Sequence, residues 1–234
     1  MYTDTFIMLF NSLHSIMDQT IIQKTVEFVQ KTLDNAEWWH DWRHIYRVRN
    51  TAKNIAAHED ADRLVVELGA LLHDIAEPKF HNGDEELWCR IAREFLTSIG
   101  VTEDVIIHVE NIIAHISFKN SFTQDSQTFY SKELAIVQDA DRLDALWAIW
   151  IARTFNYWGY AWRELYNPAI KPNLSMTKEE YKKSTAPSIN HFYEKLLLLK
   201  DKMNTDTGKR IAENRHRYME QYLEQFFKEC EWIL

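Results

Sequence analysis

Residues 68–77, LGALLHDIAE, place a histidine and an aspartate inside the most apolar helical pattern of the chain. Leu64, Leu68, Leu71, Leu72 and Ile75 recur at helical spacing and form one apolar stripe over residues 62–76. An ionised aspartate buried without a partner costs several kcal/mol, so the fold must compensate Asp74. Adjacent helical positions diverge by about 100°, which lets His73 and Asp74 reach one ion from two sides. Residues 133–152, ELAIVQDADRLDALWAIWIA, repeat the anomaly. There Asp139, Asp141, Arg142 and Asp144 interrupt a run otherwise suited to burial, and spacing alone does not choose among the three acids. Upstream, EWWHDWRHIYRV puts His40 and His44 four residues apart at a helix start. Imidazoles and carboxylates without thiols suit one divalent ion, Mn, Fe, Co, Ni or Zn, with Mg less suited to histidine donors.

Five glycines and four prolines in 234 residues argue against a turn-rich β architecture and for long helices, an all-α fold. Helices are expected at 19–33, 44–58, 62–76, 84–99, 102–116, 131–155, 177–200 and 206–231. Gly100 closes the fourth and Thr102 caps the fifth. Thr177 and Glu180 form a capping-box pattern, and Pro187 should kink or divide the helix that follows it. The expected organisation is an N-terminal segment 1–18, a helical core 19–155, a loop or lid 156–176, and C-terminal helices 177–234 packed on the core. Those last helices are also candidates for homodimerisation. Trp147 and Trp150, at helical spacing, read as core residues. Trp158, Tyr160 and Trp162 fall in the lid, where they are candidates for stacking on a base.

The net charge of −8 opposes broad binding to large nucleic acids but leaves room for a small anion held by a metal and local cations. Cys89 and Cys230 belong to no CxxC pattern and are expected to be inert, in a reducing cytoplasm. The start, MYTDTFIMLF, lacks the basic region and cleavage site of a leader, and no apolar run reaches the ~18 residues of a membrane span.

Four strings, HDWRHIYRV, ALLHDIAEPKFHNGDE, IIAHISF and VQDADRLDA, together resemble the H…HD…D signature of the HD-domain metal-dependent phosphohydrolases. The likeness covers about residues 20–155 and is strongest to a bacterial subgroup associated with nucleotide hydrolysis, especially of deoxynucleoside triphosphates. It implies a helical bundle and a metal held by His44, His73, Asp74 and Asp141. The choice of Asp141 rests on the family's D-x-D-[KR]-x-D arrangement, in which the second aspartate is the ligand.

The resemblance also implies a mechanism. A bound metal lowers the pKa of water and polarises a phosphoryl oxygen. Glu77, one turn beyond the dyad, would orient or deprotonate that water, and His115 would protonate the leaving group or hold phosphate. Arg142 corresponds to a basic phosphate contact, with Lys79 and Arg47 as further candidates. His40 is read as orienting a ligand. The expected substrate is a small phosphorylated compound, a nucleoside or deoxynucleoside triphosphate. The alternatives are an alarmone or cyclic-nucleotide phosphodiesterase of the same class, or a regulatory module that binds metal or nucleotide without turnover.

Overall fold

The computed structural model describes residues 2–34, 42–75, 87–116 and 129–231, with only the backbone of 2–14, 178, 179 and 182. His40, Glu77, Lys79, His81, Trp38 and Trp39 lie outside the described residues. The chain divides into two compact units, residues 1–140 and 141–234. The first holds α1 (Tyr2–Thr32), α2 (Trp42–Ala56), α3 (Arg63–Leu72), α4 (Leu87–Ser98), α5 (Glu103–His115) and most of α6 (Lys132–Asp144). The second holds α7 (Ala148–Tyr160), α8 (Lys178–Lys183), α9 (Asn190–Glu194), a 3-10 helix (Leu196–Lys202) and α10 (Asp206–Cys230). No strand occurs among the described residues, as the sequence leads one to expect. None of their helices is long and apolar enough to cross a membrane.

In the first unit α3 is the central helix, packed on α1, α2 and α5. Four residues of its expected stripe are buried, Leu68, Leu71 and Leu72 fully and Ile75 at 2% exposure, while Leu64 is half-buried. Gly69 lies on the same face, and a Cβ there would meet Ile112 at 3.1 Å and Val137 at 3.4 Å. Glycine is therefore needed for close approach of α3 to α5 and α6. Polar ties fix the other side. Asp62 caps α3 by accepting from Leu64 N at 2.9 Å, while its own amide donates to Glu133 on α6 at 2.9 Å. Glu67 binds Arg49 of α2 at 2.8 Å.

The element boundaries differ from expectation at four places. The N-terminal segment continues into α1 as one helix from Tyr2. The helix expected over 62–76 stops at Leu72, where the His73 ring Nδ1 bonds to the Ala70 carbonyl at 2.9 Å and satisfies a helix-end acceptor. His73 and Asp74 thus sit in the turn after α3 rather than inside it.

The helix expected over 131–155 is two helices, divided before Trp147, whose φ is 108°. Arg215 of α10 donates to the Leu143 carbonyl at 2.6 Å and lies 4.9 Å over the Trp147 ring. The same carbonyl accepts from Leu146 N at 3.1 Å, so two donors satisfy this helix-end acceptor at the break. The last change is in the lid, where α7 runs on to Tyr160 before the chain becomes irregular. Pro187 does divide the 177–200 segment, and the Thr177–Glu180 capping box is formed.

Candidate metal centre

α2 brings His44 and the end of α3 brings His73, both buried, at 7% and 4% exposure. Their rings lie edge to face, with centroids 5.5 Å apart. α6 is one continuous helix from Lys132, and its last turn carries Asp141. One donor atom each from His44, His73 and Asp141 lies within 4.8 Å of the others, a spacing at which a single ion can be shared.

The donor chemistry fits a divalent cation. A backbone carbonyl can only accept, so His73 Nδ1 must carry the proton in its bond to Ala70. In a neutral ring this leaves the Nε2 lone pair to coordinate, the second-layer orientation seen for metal-bound histidines. Two imidazoles and a carboxylate form a borderline donor set suited to Mn²⁺, Fe²⁺, Co²⁺, Ni²⁺ or Zn²⁺.

The other candidate residues distribute as follows. Asp74, half-buried in the turn, is not one of the three clustered groups. Among the acids of α6, Asp139 is fully buried and Asp144 faces Arg153 at 3.9 Å, so neither joins the cluster. Arg47 lies one turn after His44 on α2 and is half-buried. His115 ends α5, with its Nδ1 on the Asn111 carbonyl at 2.8 Å. Gln138, one turn before Asp141, donates to the His115 carbonyl at 3.0 Å, which ties the end of α5 to α6.

Arg142 donates to the Lys202 carbonyl at 2.6 Å and thereby anchors the end of the 3-10 helix. Trp158, expected as a stacking platform, is covered by the Arg163 guanidinium 3.5 Å from its ring centroid. Trp162 is 95% exposed. Among the described residues, the sequence reading passed over Lys195, whose ammonium interacts electrostatically with Asp141. It lies 54 residues along the chain from that aspartate, in no motif.

Two buried imidazoles and a carboxylate, carried on helices of an all-α fold, form a group of nitrogen and oxygen donors that could hold a metal ion. The family described as HD domain matches residues 41–146, which span all three clustered groups. An HD-superfamily hydrolase from Bacillus thuringiensis is similar at 43% identity, with a TM-score of 0.74 over 92% of this chain and 98% of that one. Bacillus subtilis YpgQ is 35% identical over 206 residues, covering 88% of this chain and 92% of YpgQ. The crystal structure of YpgQ in complex with ADP matches at 32% identity, with a TM-score of 0.69 over 91% of this chain and 96% of that one. This chain belongs to the HD-domain family. HD-superfamily hydrolases are metal-dependent phosphohydrolases.

Proposed function

We propose that the chain is a metal-dependent phosphohydrolase acting on nucleotides, with nucleoside or deoxynucleoside triphosphates as substrates. The observation that carries this reading is the approach of His44, His73 and Asp141 to within 4.8 Å of one another in a family of metal-dependent phosphohydrolases. The ADP complex of YpgQ supports a nucleotide as the ligand class.

In this reading His44, His73 and Asp141 hold one divalent ion, and Asp74 in the adjacent turn supplies a fourth donor. When bound, such an ion lowers the pKa of coordinated water and polarises a phosphoryl oxygen. The imidazole of His73 is held in register by its bond to Ala70, so its lone pair stays aimed at the centre. Glu77 is assigned to orient or deprotonate the attacking water. His115 protonates the departing oxygen, and Arg47 and Lys79 hold phosphate oxygens. Arg142, beside Asp141 on α6, is a further phosphate contact, with one of its donors on the Lys202 carbonyl.

A dinuclear, cyclic-dinucleotide type of centre would need further ligands. Among the described residues the His, Cys, Asp and Glu side chains form one such group, the three named above.

The test is a panel of nucleoside triphosphates, diphosphates, cyclic nucleotides and generic phosphoesters incubated with the Mn²⁺-loaded protein, with phosphate and pyrophosphate resolved. Turnover of triphosphates is the expected result. Absence of turnover across the panel would overturn the proposal, and tight nucleotide binding without turnover would favour a regulatory module.

A further inference from the structure

Helices α3, α5 and α6 run in the same direction. Glu133, in the first turn of α6, accepts from the Asp62 amide at the start of α3 at 2.9 Å and lies 3.4 Å from His108 Nε2 on α5. Further along, Gly69 of α3 meets Ile112 of α5 and Val137 of α6 in one layer. An α-helix rises about 1.5 Å per residue. His73, His115 and Asp141 follow that layer by four, three and four residues, so they come out at nearly one height. His115 therefore stands at the end of the helices that present His73 and Asp141.

Two hydrogen bonds fix His115 there. A carbonyl only accepts, so the ring Nδ1 carries the proton in its bond to the Asn111 carbonyl at 2.8 Å. Nε2 is the ring atom left to exchange a proton with a substrate. The backbone is held separately. The His115 carbonyl is among the last four of α5, which have no partner within the helix, and Gln138 Nε2 donates to it at 3.0 Å. Gln138 lies one turn before Asp141, so one half-buried side chain links the end of α5 to the turn of α6 that presents a metal ligand.

We propose that Gln138 is a positioning residue for the reaction. By tying the last turn of α5 to α6, it holds His115 Nε2 where it passes a proton to the departing oxygen. The proposal rests on the nucleotide-hydrolase reading above. In that step a doubly protonated His115 gives up its Nε2 proton as the P–O bond breaks, and the neutral ring keeps its Nδ1 proton on Asn111. Without the Gln138 donor the His115 carbonyl turns to water, the last turn of α5 frays, and the ring loses its single orientation.

The test compares wild type, Gln138→Met, His115→Ala and the double variant as full chains loaded with Mn²⁺. Single-turnover hydrolysis of radiolabelled dATP keeps large losses measurable, since a general acid contributes about 10²- to 10⁴-fold. Gln138→Met keeps the side-chain length and removes the donor. It should lower the saturated rate about 10-fold, with half-saturation within about threefold of wild type and bound manganese unchanged. In the His115→Ala background the same change should have no further effect, because residues that act through one group are not additive. The ¹⁵N spectrum of the imidazoles in the metal-free chain, at mildly alkaline pH, gives a readout independent of turnover. His115 should be the Nδ1–H tautomer in wild type and a mixture in Gln138→Met.

A Gln138→Met rate equal to wild type overturns the proposal. So does loss of manganese, an undiminished effect in the His115→Ala background, or an unchanged tautomer. Where wild type hydrolyses dATP, these outcomes strike Gln138 alone. A wild type without turnover of any nucleotide overturns the proposed function and, with it, the role given to Gln138.

Discussion

Two histidines of nearly equal burial do opposite work in the two units. His73, 4% exposed, ends α3 with its Nδ1 on the Ala70 carbonyl, and its ring faces His44. His191, 7% exposed, lies in the first turn of α9 with its Nδ1 on the Tyr181 hydroxyl and its ring against Trp158. In the first case the partner is an acceptor, so the ring presents its other lone pair to an acid and a second imidazole. In the second the partner is a hydroxyl, which can donate or accept, and the charged neighbours are cations. Burial, then Lys195 and Arg163, push the His191 pKa down to about 3. Burial does not make a histidine a ligand; the hydrogen bond on its far nitrogen and the charge across from it do.

Exchanging each ring for a methyl group separates the two roles. His73→Ala should abolish bound manganese, read by elemental analysis, and with it all turnover. His191→Ala should leave the manganese content intact but lower stability by about 2–4 kcal/mol in denaturant titrations, because it opens a cavity and strands the Tyr181 hydroxyl. If both variants lose metal equally, the distinction drawn here fails.

Acidification sharpens the contrast further. The folded pKa of His191 lies below its ordinary value of 6.5, so the unfolded chain takes up a proton that the folded chain refuses. The contribution of His191 is complete above about pH 6.5 and is lost as pH falls toward 3, by up to a few kcal/mol. Subtracting the stability profile of His191→Gln from that of wild type should isolate this decline; parallel profiles from pH 7 to 4 would contradict it. The smallest effect is expected of Tyr181→Phe, which removes one buried hydrogen bond and should cost about 1–2 kcal/mol with metal binding unaltered. A stability unchanged within error would remove Tyr181 from the account of why His191 is neutral.

Legibility from sequence followed the range of the interaction. The α3 stripe, the Thr177–Glu180 box and the break at Pro187 depend on residues a few positions apart, and each was readable. The misplaced polarity of His73, Asp74 and the α6 acids was readable too, since polar groups in an apolar run stand out without a partner being known. The end of α6 was not. Residues 139–155 contain neither glycine nor proline, and one donor on the carbonyl at the break comes from Arg215, 72 residues away. Gly69 was visible as a glycine in a helix, but its purpose depends on Ile112 and Val137, which only tertiary contact supplies. Arg142 was visible beside Asp141 in sequence, but its hydrogen bond to the Lys202 carbonyl, 60 residues on, was not.

The central claim is that His44, His73 and Asp141 share one divalent ion. Crystals grown with Mn²⁺ and measured on both sides of the manganese absorption edge test it most directly. A single anomalous peak in contact with His44, His73 Nε2 and the Asp141 carboxylate is the expected result. A peak elsewhere, or none among these three side chains in a crystal that binds manganese, would contradict it.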